Sequence, residues 1–322
     1  MKSRSLAALL VVIAGFVSYL YSQQSGLEVL TRAAALNDEG KFRAAFEIVQ
    51  PLLDSKTQKL DDAIIGVALD IRGLALQNLG NFDEARRSYE SAIKILRGMP
   101  DQTIQFATAL DNLASLEADN GQLKDSKALR IRAKALYESV GDHSGAARAA
   151  SSLAVIALAS ASRKEARHYM TDAHYQESLV STPDPRDLAW ISGVECLLDE
   201  AEGNFAAALD QINRAIDLWT LRYGSKYYVL GSAYAVRGRV YHVLGYDSRA
   251  AEDLRHALVL LSDNNEKSSP VYFSTELVYA KVLRNSGMKG EASRMESDAR
   301  AALERLRHQQ CAGCTISAEG IR

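Results

Sequence analysis

Seven turn positions recur along the chain at nearly constant spacing. They are Gly40, Gly80, Gly121, Ala161, Gly203, Gly245 and Gly287, separated by 40, 41, 40, 42, 42 and 42 residues. Three further columns keep register with them. Seven residues before each turn stand Ala33, Gly73, Ala114, Ala154, Cys196, Gly238 and Ala280. Five after come Ala45, Ala85, Ser126, Ala166, Ala208, Ala250 and Ala292, and twelve after come Leu52, Ala92, Ala133, Ala173, Ala215, Ala257 and Ala299. Alanine is frequent here, so one such column is within the reach of chance. Three in register over seven copies are not, and a period of this length dictates a repeat architecture.

Between the small positions run apolar residues at helical spacing, such as Leu69, Gly73 and Leu76, or Tyr234, Gly238 and Tyr241. Small residues at fixed points let two antiparallel helices approach closely, and a glycine after the first helix supplies the left-handed cap. One hairpin cannot bury its apolar face alone, so the copies must stack. The expected fold is all-α, an α-solenoid of about seven helix-turn-helix repeats over residues 26–307. The hairpins are placed at 26–54, 61–97, 101–139, 142–178, 186–222 and 225–262, with the last beginning near Pro270. Pro100, Pro183, Pro185 and Pro270 fall between copies, whereas Pro51 is expected to kink or end the second helix of the first.

The columns, together with an aromatic two residues after the turn (Phe42, Phe82, Phe205), resemble the tetratricopeptide repeat over residues 27–305. That family repeats about every 34 residues. The longer period here is similar to the kinesin-light-chain variety, whose second helix runs about two turns further, as the stretch from Ala215 to Gly224 would. Departures are Ala161 in the fourth copy, Ser126 and Arg130 in the third, and Glu276 and Glu296 in the seventh, the last pair suiting a terminal cap. The resemblance implies a right-handed superhelix whose first helices line the concave surface. Residues six and three before the turn would then face inward: Arg239 and His242 in the sixth copy, Lys281 and Arg284 in the seventh. Ten before the turn lie Asp70 and Asp111. Asn112 occupies the place where related repeats set an Asn against a peptide backbone.

Eight of the 14 tyrosines lie beyond residue 220, near Trp190 and Trp219, so the C-terminal half reads as basic and aromatic. Such a surface suits an acidic peptide or its carboxylate. Charges on an exposed helix face are also commonly just solvated, and aromatics commonly pack between helices. The expected function is a non-catalytic protein-interaction scaffold binding a peptide or protein segment in its groove. The alternative is a structural assembly factor of an envelope complex, acting by self-association. A formal net charge of −2 speaks against general nucleic-acid binding.

No pair of the six histidines has metal-ligand spacing, and no phosphate-binding loop or nucleophile elbow occurs, so neither metal nor cofactor nor enzymatic activity is expected. Glu165 and His168, three apart, read as a solvated helix pair. Cys196 falls in a small-residue column and reads as a packed thiol.

The two ends stand apart from the repeats. Lys2 and Arg4 precede an uncharged run from Leu6 to Tyr21, so residues 1–25 read as a signal peptide or an uncleaved membrane anchor, with a buried helix as the remaining reading. Either of the first two, in a chain of bacterial exported type, puts the repeats outside the cytoplasm. Residues 308–322 form a tail with Cys311 and Cys314. No histidine follows for haem attachment and no second ligand pair for zinc, which favours a disulfide in an oxidising compartment. Thiol titration of protein isolated without reductant should find Cys311 and Cys314 unreactive until reduced; two freely reacting thiols there would refute the bridge.

Overall fold

The computed structural model describes residues 23–54, 60–263 and 269–309. Among them the regular elements are α1 (23–38), α2 (Phe42–Asp54), α3 (Asp62–Asn78), α4 (Phe82–Leu96), a single 3-10 turn at Pro100–Gln102, α5 (Thr103–Asp119), α6 (Leu123–Ser139) and α7 (His143–Ala159). They continue as α8 (Arg163–Ser178), α9 (Pro185–Glu202), α10 (Phe205–Tyr223), α11 (Leu230–Val243), α12 (Asp247–Asp263), α13 (Pro270–Asn285) and α14 (Lys289–Gln309). No described residue is in a strand. The N-terminal apolar run and the Cys311–Cys314 pair lie outside the described residues.

The chain divides into two compact units at Leu116 and Glu117. In the first, α2 packs on α3 and α3 on α4. In the second, α7 packs on α6, α8 and α9, and each later helix packs on the next through to α14. Apolar clusters bridge consecutive hairpins. Ala147, Ala154 and Ala157 of α7 meet Ala166 and Met170 of α8 and Ile191, Val194 and Leu198 of α9. In the first unit Leu30 and Ala33 of α1 join Val49 and Leu52 of α2 and Ile64, Ala68 and Ile71 of α3.

The reason is visible at the small columns, where every residue of all three is buried. Added bulk there has nowhere to go. A Cβ on Gly73 would stand 2.6 Å from the Tyr89 ring, and one on Gly238 would stand 2.7 Å from Cγ of Leu254. Tyr89 and Leu254 both sit sixteen residues after their glycine and nine after the turn, a fourth column that also holds buried Met170 and Ile212. Two of the polar departures, Arg130 and Glu296, fall in that column. Arg130, although buried, donates from Nη1 to the Ser152 carbonyl at 3.5 Å. Glu296, in the last hairpin, accepts from Arg284 and Arg300 instead of packing in a core.

The turns share one geometry. All seven turn residues have positive φ, from +55° at Ala161 to +87° at Gly287. The next residue donates its N–H to the carbonyl five positions back: Lys41 to Leu36, Asn81 to Leu76, Gln122 to Glu117, Ser162 to Ala157, Asn204 to Asp199, Tyr246 to Tyr241 and Met288 to Leu283, all at 2.8–3.0 Å. This is the Schellman cap, which satisfies helix-end carbonyls and needs one left-handed residue. Pro185 and Pro270 open α9 and α13 as first-turn prolines. Pro51 does not end α2, which runs on to Asp54.

Ala161 is the non-glycine among the positive-φ residues described. Its Cβ crowds the following carbonyl, at a cost of roughly 1–2 kcal/mol, part of which glycine would return as lost chain entropy. Ala161→Gly should therefore stabilise the protein by about 0.5–1 kcal/mol in urea unfolding, with helicity unchanged; an equal or lower midpoint would show that the turn carries no such strain.

Candidate functional site

The first helices of the hairpins carry the sequence-derived candidates, which fall into two groups, one in each unit. Asp70, Asp111 and Asn112 belong to the first. Asp70 of α3 is only 8% exposed. The Asn112 side-chain amide of α5 donates to both of its carboxylate oxygens, each at 3.1 Å. Burial pushes the Asp70 carboxyl up to about 7; the Asn112 bond opposes this and the neighbouring Asp111 adds to it. The three residues thus form one cluster, with Asn112 turned to Asp70.

In the second unit the four basic residues do not make the open basic face that their columns suggest. Arg239 of α11 forms a bidentate pair with Glu200 of α9, at 2.9 Å from Nε and 2.6 Å from Nη2. Burial alone would pull its guanidinium down, but Glu200 outweighs that and holds it above its ordinary value. His242 meets Asp247 at 2.7 Å, and Asp247 also accepts from Asn285 at 3.0 Å. The His242 contact, aided by Asn285, holds the Asp247 carboxyl below the usual range. Arg284 is bound to Glu296. Lys281 is exposed. Three of the four basic side chains are engaged by acidic side chains on neighbouring helices.

Other residues on these helices were not singled out by the sequence. Arg148 of α7 bonds Asp187 of α9 at 3.1 Å, and Asp187 is buried. Trp190 occupies the position of Arg148 one repeat later, thirteen before the turn, and is 39% exposed. Further along α9, four and seven residues on, Val194 is buried and Leu197 partly buried. The signal was available as a thirteen-before column. Arg237 binds Asp253 at 2.6 and 2.9 Å, takes Asn213 at 3.0 Å and lies over the Tyr234 ring at 5.0 Å. Tyr234, Arg237 and Asp253 line an open cleft with His256, whose ring meets Tyr234 edge-on at 4.6 Å. Trp219 and Tyr227 are buried in the core rather than offered to a ligand. Glu165 is bonded to Lys127 of the preceding repeat at 2.6 Å, not to His168. Cys196 is buried, and burial pushes its thiol up, which suits packing and not nucleophilic chemistry. Among the described residues no three His, Cys, Asp or Glu side chains gather as metal ligands. No described helix is long and apolar enough to cross a membrane.

No family model matches the chain, and no curated protein matches it in sequence. Solved structures do. The Rap conjugation gene regulator of plasmid pLS20, in complex with a Phr peptide, is similar with a TM-score of 0.65 and 13% identity, over 88% of this chain and 75% of that one. Aspartyl phosphate phosphatase F from Bacillus subtilis gives 0.64 and 12%, over 92% and 75%. The Cut9–Hcn1 hetero-tetramer of the APC/C gives 0.62 and 16% over 90% of this chain, which spans 47% of that one.

Removing Arg239 would leave Glu200 nearly buried and unpaired, and a broken buried pair costs about 3–5 kcal/mol. Arg239→Ala should lose stability on that scale in urea unfolding, whereas Lys281→Ala should stay within about 0.5 kcal/mol of the parent. Equal effects at the two positions would contradict the assignment of Arg239 to structure. In fold, the chain is a tetratricopeptide-like α-solenoid.

Proposed function

We propose that the protein is a non-catalytic scaffold that binds a peptide or protein segment along the first-helix face of its second unit. The observation that carries this is Trp190. A large indole stays 39% exposed on α9, on the helix face that also holds the partly buried Leu197 seven residues on. An aromatic left in water beside other apolar side chains is the usual anchor of a protein contact. The flanking pairs Arg148–Asp187 and Arg239–Glu200 are electrically closed, so an acidic partner gains little from them. Recognition would rest on one apolar side chain seated near Trp190 and on polar groups of the ligand backbone, with Lys281 as the exposed cation. The likeness to the Rap regulator solved with a bound Phr peptide supports a peptide ligand without naming it. The same proposal places the repeats outside the cytoplasm, on the strength of Lys2 and Arg4 ahead of the run from Leu6 to Tyr21.

A photo-crosslinking residue at position 281 should capture a discrete polypeptide in cells, and one at position 249, on the second helix of the sixth hairpin, should not. Trp190→Ala should abolish capture from 281 while circular dichroism stays unchanged. Capture that ignores Trp190, or occurs equally from 249, would rule out this face. Self-crosslinks alone would favour the assembly-factor reading.

A further inference from the structure

α8 closes the fourth hairpin and α9 opens the fifth, and the two pack together as antiparallel neighbours. α9 carries Glu195, Asp199 and Glu202 at spacings of four and three, which puts the three carboxyls on one face. α8 answers with two bases. Arg167 forms a bidentate pair with Glu202, at 2.8 Å from Nε. Two turns on, His174 Nε2 lies 3.1 Å from a carboxylate oxygen of Glu195. The same antiparallel register brings Met170, a buried apolar side chain, to the level of Asp199. Three carboxyls thus stand against one permanent cation and one ring that is charged only when protonated. The Glu195 side chain is largely buried, whereas His174 is half-exposed and open to exchange protons with water.

We propose that His174 and Glu195 form a proton-operated clasp between the fourth and fifth hairpins. Closed, the imidazolium donates Nε2–H to the carboxylate and supplies the second positive charge opposite the α9 carboxyls. Loss of the ring proton leaves at most a neutral N–H bond, and a charge-assisted bond is roughly twice as strong. The charged groups acting on the ring are Glu195 of α9, Glu177 of its own helix and Arg214 of α10. The Glu195 bond dominates and holds the imidazole above its ordinary 6.5; partial burial and Arg214 oppose this, and Glu177 adds to it. The direction follows from linkage. A histidine raised in the closed form stabilises that form fully below 6.5 and loses the contribution as pH rises through the raised value. The clasp is tight in mild acid and looser in mild alkali. Adjacent repeats in a solenoid contact only their neighbours, which confines the loosening to this seam. Although α9 also carries Trp190, the clasp is read on the ring and on α9 itself and needs no ligand.

Ring-proton NMR of the full chain, with His174→Gln to assign the resonance, tests the titration. His174 should titrate above 6.5, and Glu195→Gln should bring it down toward that value. Hydrogen–deuterium exchange at pH 6, 7, 8 and 9, corrected for intrinsic rates, tests the mechanical consequence. Protection in α9 should fall by about two- to fivefold from pH 6 to 9, the scale of a half-exposed ion pair. His174→Gln and Glu195→Gln should each remove that fall. A parent ring titrating at or below 6.5, a ring unmoved by Glu195→Gln, or a parent-like exchange profile in His174→Gln would overturn the clasp. Should Glu195→Gln lose helicity, the parent titration and the exchange profile of His174→Gln decide by the same criteria.

Discussion

Close approach of two helix backbones over small side chains is the constraint on which the rest of this structure depends. At three fixed positions per hairpin the side chain is almost always Ala, Gly, Ser or Cys, and all of these positions are buried. The fit is tight enough that a Cβ on Gly73 or Gly238 would collide with the residue sixteen places later. Interiors packed at this density forbid added volume while leaving the outward faces free to vary. The fold can thus persist where little sequence does. Solved structures with TM-scores of 0.62–0.65 share only 12–16% identity with this chain.

Part of the charge joins one hairpin to the next. Lys127 reaches Glu165, Arg148 reaches Asp187 and Arg239 reaches Glu200, each about one repeat away. The pairs differ in burial, and so in worth. Lys127–Glu165 is about one-third exposed and belongs with surface pairs of small value, whereas the carboxylates of the other two are nearly buried and would be costly to strand. Asp70 is the exception in this array. The polar partner that meets it is a neutral amide, and its own charge is what the site resists.

The local elements were legible because each answers to residues close in sequence. The turn glycines predict the Schellman caps, and the one substitution, Ala161, marks the turn where the same cap is made at a steric cost. The polar intrusions Arg130 and Glu296 were recognisable as departures from a bulky column, although their partners were not. Pro51 was open to either a kink or an end of the helix, and the helix does not end there. The candidate site was legible only as a set of columns. Asp70, Asp111 and Asn112 do come together, and Lys281 stays exposed. Trp190, the residue on which the functional proposal rests, had been noted only for its neighbourhood to other aromatics.

By itself the sequence determined the period, the hairpin, the left-handed turns and the small contact positions, since these repeat at fixed offsets and need no knowledge of distant residues. Only the tertiary structure decided the state of each charge. Whether Arg239 is a ligand contact or half of an ion pair depends on Glu200, 39 residues earlier on another helix. Whether Asp70 is an anion or an acid depends on the depth of its burial and on an amide 42 residues away. Helical periodicity names the face a side chain occupies, but its partners and its hydration are properties of the packed neighbours, and those set the energy of a charge.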